Sequence, residues 1–181
     1  MRKTLLCLAV AMGVAVTGAQ AQGWQTELGL QGGFVRLKPA GTHRNDHVDV
    51  LAAPGWDLGP AFPVPSSIFL TIPVGDKMAL EPSFTGTILS AGNTLSIFQA
   101  GLRVNYSLTK NVYGAAGGLL GHISTIGYEA GLQVAGGYRF HLTGPVSARL
   151  EANVAMWKGK SGGGIAAIDT YGLLFGISSR L

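Results

Sequence analysis

His122 and Ser124 stand two residues apart, with Glu129 close behind them. Positions two apart on an extended strand share a face. An imidazole would then lie beside a hydroxyl with a carboxylate nearby, the side-chain types that nucleophilic catalysis uses. The plainer expectation is a rim histidine beside a loop serine, because any His and Ser two apart on a strand would match. A second group, His43, Arg44, Asn45, Asp46, His47 and Asp49, puts two imidazoles and two carboxylates in one short stretch. Zinc accepts such ligands. A polar loop supplies no rigid shell to fix their geometry, so His43, Asp46, His47 and Asp49 are expected on a solvated surface loop, without metal. A third set is dispersed: Glu27, Glu81, Arg103, Arg139, Arg149, Glu151 and Arg180. No P-loop, dinucleotide fingerprint, nucleophile elbow or HExxH motif is present. The expectation is therefore no cofactor and no enzyme activity.

The elements that would position these residues are strands. Apolar and polar residues alternate with a period of two along most of the chain, which marks strands with two unlike faces. Eight such segments are expected: about Trp24 to Lys38, Ser66 to Val74, Met78 to Leu89, Leu95 to Leu108, Val112 to Ile123, Glu129 to Leu142, Val146 to Lys158 and Ile168 to Leu181. In the seventh, Val146, Ala148, Leu150, Ala152, Val154 and Met156 alternate with Ser147, Arg149, Glu151 and Asn153. Each is long enough for the roughly 9–11 residues that a tilted strand needs to cross a bilayer. Tight turns at 75–77, 109–111 and 143–145 alternate with connections at 39–65, 90–94, 124–128 and 159–167. Short turns on one side and longer loops on the other are the asymmetry of transmembrane barrels. Trp24, Tyr106, Tyr113, Tyr138 and Phe140 are expected in an aromatic girdle at one rim, with Trp157 and Tyr171 near the other.

The first 21 residues read as a signal peptide. Arg2 and Lys3 precede an apolar run from Leu5 to Val16, and Ala19-Gln20-Ala21 is a small-x-small site, so cleavage is expected before Gln22. The run falls short of the ~20 residues of a spanning helix. Residues 22–181 then form one domain. Cys7, the single cysteine, lies in the leader, which leaves no disulfide or thiol chemistry to the mature chain. The net charge of +4 becomes +2 once Arg2 and Lys3 are removed, too little to argue for nucleic acid. Charged residues make up 12% of the chain, against about 25% in soluble domains, so much of the surface is not built for water.

An exported, charge-poor chain without an apolar stretch of helix length has one solution in a membrane. It closes a barrel, so that every backbone N–H and C=O pairs internally. The expected fold is all-β, an eight-stranded antiparallel up-and-down transmembrane barrel after a cleaved signal peptide. A charge facing lipid near the midplane would cost roughly 2–4 kcal/mol. The dispersed acids and arginines should therefore point into the lumen and neutralise one another there, as buried charges must. Eight strands leave room for little more than side chains, so no wide pore is expected.

This pattern resembles the small OmpA/OmpX-type barrels of the Gram-negative outer membrane. The last strand, with Tyr171, Leu173, Phe175, Gly176, Ile177 and Leu181, resembles the C-terminal stretch read by the barrel-assembly machinery. The resemblance implies an integral outer-membrane protein, monomeric, with a structural or surface-interaction role. Its implied partners are outer-membrane lipid and lipopolysaccharide, with 39–65 as the contact surface. The His-x-Ser pair is similar to that of outer-membrane lipid A deacylases, which would make His122 the base, Ser124 the nucleophile and Glu129 the acid; the Asn that follows the Ser in that family is Thr125 here. The rival readings are thus a lipid A enzyme, a narrow channel, and a soluble periplasmic lipocalin-like binder with its polarity reversed.

Overall fold

The computed structural model describes residues 23–39, 48–52, 66–91, 93–123, 127–158 and 168–181. Their strands are β1 (Glu27–Pro39), β2 (Val48–Ala52), β3 (Ser66–Pro73), β4 (Met78–Ala91), β5 (Asn93–Ser107), β6 (Val112–Ile123), β7 (Gly127–Thr143), β8 (Val146–Lys158) and β9 (Ile168–Arg180). From β3 to β9 each strand pairs antiparallel with the next. β9 then pairs with β1 from Glu27 opposite Arg180 to Pro39 opposite Ile168, which closes the barrel. The other edge of β1 is shared: β3 takes its inner half and β2 its outer half. Nine strand segments thus fill the eight staves of a closed barrel.

β6 and β8 begin and end where the alternation of their sequences places them. Three departures are physical. β2 lies inside the stretch expected to be one loop, 39–65; its short Val-Asp-Val-Leu-Ala run is stabilised by backbone pairing to β1, which single-segment reading does not register. The connection expected at 90–94 narrows to residue 92, because Ser90 pairs with Thr94 and Ala91 with Asn93; ladder bonds are made by backbone groups whatever the side chain. β7 begins at Gly127, two positions before the expected start, for the same reason. The β3–β4 ladder skips Leu70 and Thr71, next to Pro82, which has no N–H to donate.

The two faces are inverted relative to a soluble protein. Leu102 is 56% exposed, and its neighbour Arg103 is 4% exposed. Leu28, Leu30, Phe34, Leu132, Leu173 and Phe175 all face outward. Inside, Trp24, Ala79, Tyr113 and Ala115 form a small apolar cluster at the inner end, where the turns 75–77, 109–111 and 143–145 lie. An apolar exterior suits contact with lipid, which removes the cost of exposing these side chains, and the ladder closed through β9 and β1 pairs the strand edges round the inner half of the wall.

Gly117 is required by close approach. A Cβ there would come within 2.5 Å of the Arg103 Cα and collide with the Leu102 carbonyl oxygen across the β5–β6 ladder. Gly75, in the first turn, has nothing within 4 Å. Gly117→Val should therefore lower unfolding free energy by at least about 1–3 kcal/mol, measured by urea titration in detergent micelles, while Gly75→Ala stays within about 0.5 kcal/mol of wild type.

Candidate functional site

The polar residues converge in the lumen because strand alternation leaves them nowhere else to go. Glu81 on β4 and Arg103 on β5 are ladder partners, and both point inward. Arg103 Nε donates to Glu81 Oε1 at 3.0 Å. Its two terminal nitrogens donate to the two oxygens of Glu151 on β8, at 2.8 and 2.6 Å. This paired geometry matches the planar fork of a guanidinium to a carboxylate. Glu151 also accepts from the Tyr113 hydroxyl at 2.7 Å. Glu81 accepts from Thr71 Oγ1 at 3.2 Å, Asn105 Nδ2 at 2.8 Å and Arg149 Nη1 at 2.7 Å. The other end of the Arg149 guanidinium donates to Gln31 Oε1 on β1, and its Cζ lies 3.5 Å from the Phe69 ring centre.

Counted round the barrel, β8 is four staves from β4 in either direction. The Arg149–Glu81 bond therefore spans the full diameter, and the lumen at that level is the width of one side-chain pair. Nearer the inner end, Glu27 accepts from Ser178 Oγ at 2.7 Å and lies 3.5 Å from Arg139 Nη1. The latter is a charge contact without hydrogen-bond alignment, since Arg139 Nη1 makes no hydrogen bond. The Arg139 guanidinium lies 4.6 Å from the Trp24 ring centre. Trp24 packs edge-on against Tyr113, with ring centres 5.6 Å apart, and its Nε1 donates to the Lys77 carbonyl oxygen at 3.1 Å. Three acids thus meet three arginines, and this set of six is neutral.

Arg180, expected in this network, is exposed. It has inward parity and holds the last ladder position of β9, opposite Glu27, with its side chain exposed at the end of the wall. Trp24 and Tyr113, expected in the girdle, are buried in the lumen. Tyr113 stands at an inward position, and a Cβ at Gly137 would collide with its ring; Trp24 folds in before β1 begins. Trp157, expected near the outer rim, lies against Gly121 and Gly131, with inward parity. Tyr106, Tyr138 and Tyr171 are exposed on the outside.

The remaining candidates do not assemble. His122 packs against Tyr128, its ladder partner, at 4.6 Å between ring centres, on the outward parity of β6. Glu129 occupies the opposite, inward parity of β7, where it faces Gly121 in the ladder. Base and acid thus stand on opposite sides of the wall, and Ser124 lies outside the described residues. So do His43, Asp46 and His47; Asp49 is in β2, at the register position opposite Arg36. Among the described residues no group of three or more His, Cys, Asp or Glu could hold a metal ion.

Sequence reading missed Gln31, Thr71, Asn105 and Tyr113 as members of the network. Asn105 carries the parity of Arg103 and was open to recognition by that signal. Tyr113 was obscured by the Gly114 to Gly118 tract, in which both faces consist of glycine and alanine.

No family model matches the sequence, and no curated protein matches it. Solved structures do. Neisserial surface protein A superposes with a TM-score of 0.59 at 9% identity, covering 86% of this chain and 97% of that one. The attachment invasion locus protein Ail of Yersinia pestis gives 0.49 at 11% identity, covering 87% and 100%. The outer-membrane protein OprG of Pseudomonas aeruginosa gives 0.43 at 14% identity, covering 91% and 100%. The fold is that of the small eight-stranded outer-membrane barrels. The described residues form a closed barrel with an apolar exterior and a filled lumen, without a wide pore.

The network makes a stability prediction. Truncating one member leaves a buried, uncompensated charge, at a cost of about 3–5 kcal/mol, whereas replacing both members with apolar residues is far less costly. Glu151→Leu alone should lower unfolding free energy by about that amount. The Glu151→Leu/Arg103→Leu double variant, which keeps the Arg149–Glu81 pair, should recover most of the loss in the same urea titration.

Proposed function

We propose that residues 1–21 direct export and that 22–181 act as a sealed outer-membrane anchor, which presents its outer segments, 39–65 foremost, for contact at the cell surface. The observation that carries this reading is the Arg149–Glu81 bond across the full diameter of the lumen. A pore needs a continuous aqueous path, and this level is filled by paired side chains. Outer-membrane lipid surrounds the apolar wall, and lipopolysaccharide is the proposed neighbour of the outer rim. β9 is the proposed element read by the barrel-assembly machinery, and the barrel is proposed to work as a monomer. No esterase role is proposed for His122, Ser124 and Glu129, because His122 and Glu129 have opposite parity in the β6–β7 ladder.

Conductance separates an anchor from a channel. In planar bilayers the wild-type protein should give no discrete conductance steps. The Glu81→Ala/Arg149→Ala variant, which removes the cross-lumen pair while leaving Arg103 bound to Glu151, should give small discrete steps. Regular steps from the wild type would overturn the sealed reading.

A further inference from the structure

β2 and β3 run in the same direction along one edge of β1. Ala52 of β2 faces Gly33, and Ser67 of β3 faces Gln31. On β1 only Gly32 lies between those two positions. On the facing chain, residues 53–66 lie between them, and Ser66 already extends the β3 ladder opposite Gly86 of β4. With Ser66 assigned to the position opposite Gly32, the register of β3 continues into that of β2 without a slip. The stretch left over is 53–65. Gly33 and Gln31 share inward parity, so the inside-outside alternation also continues from one segment to the other. Ladder partners share a face, so this continuity follows from β1 running unbroken through both pairings; the telling feature is that β2 takes up the edge of β1 where β3 leaves it.

The far edge of the same stave gives a second observation. The β3–β4 ladder ends at Ser66 opposite Gly86. β4 continues through Thr87 to Ala91, where its ladder partner is β5. Among the described residues β2 has β1 as its sole ladder partner. In the outer half of the wall, β2 and the end of β4 are therefore the edges of adjacent staves with no ladder between them.

We propose that β2 and β3 are two halves of one barrel strand, interrupted by an insertion at 53–65, and that the insertion keeps the outer half of the β2–β4 seam unpaired. Without it the β3–β4 register extends upward, with Ala52 opposite Thr87, Val50 opposite Leu89 and Val48 opposite Ala91. The inference rests on the strand register and holds whether or not the outer segments make surface contacts. It separates the scaffold, which closes without 53–65, from whatever that segment is kept for.

The seam is measurable by disulfide trapping. With Cys7, the single natural cysteine, replaced by Ser, Val50→Cys and Leu89→Cys are introduced into three forms of the chain. These are the full-length protein, a form lacking 53–65, and a form with 53–65 replaced by a Gly/Ser tract of equal length. All are recovered from membranes and tested for protease resistance and for crosslinking under mild oxidant. Ladder partners stand about 4.5–5.5 Å apart between Cα atoms, within disulfide range. The expected result is that all three resist protease, that most of the shortened chain crosslinks, and that the other two do not. A shortened chain that fails to fold would overturn the proposal, because the two halves would not be joinable. So would failure of the Gly/Ser form to fold, which would make 53–65 part of the scaffold, or equal crosslinking of full-length and shortened chains, which would mean that no seam exists.

Discussion

The charge pair that joins Arg149 to Glu81 across the lumen sets the terms for the rest of the barrel. Lipid outside the wall excludes charge, and eight staves leave a lumen too narrow for water to solvate each ion separately. The ionisable side chains must therefore neutralise one another at close range. Glu81 and Glu151 are each 1% exposed and each accepts several charged or polar donors. The same bonds tie β4, β5, β6 and β8 together through the interior, in addition to the ladders that join neighbours round the circumference. A barrel without them would depend on its ladders alone.

Small residues make that network possible. Phe69 lies over Gly29 and Tyr113 over Gly137, so two inward aromatic rings fit where two full side chains could not. Close packing of this kind is one reason why the interior is a plug. It also explains the wealth of glycine in a chain with long strands, where glycine is otherwise unfavourable.

Most of the wall was legible in the sequence, because lipid on one side and an ionic lumen on the other impose strict alternation. The Val146 to Met156 series on β8 displays both faces without ambiguity, and its polar members include two residues of the network. Features that depend on partners were not legible. Nothing local marks Val48–Ala52 as a strand, since its pairing is fixed by β1. The inward turn of Trp24 depends on Tyr113 and the Lys77 carbonyl, neither of which is near it in sequence. The rim positions misled for a related reason: Arg180 has the right parity but is exposed at the last ladder position of β9, and a two-residue spacing cannot reveal that His122 and Glu129 belong to opposite faces of adjacent strands. Parity tells which side a residue faces; depth and partner come from the register between strands.

The central claim is that this chain folds as a closed barrel in the outer membrane, with its polarity inverted. Gel mobility of the protein from an outer-membrane fraction, unboiled against boiled, tests it most directly. A ladder closed on itself resists detergent, so the unboiled protein should run as a compact species and shift to its unfolded mobility only after heating. Recovery as a soluble periplasmic protein, with no heat-dependent shift, would contradict the account and require the apolar face to line the interior instead.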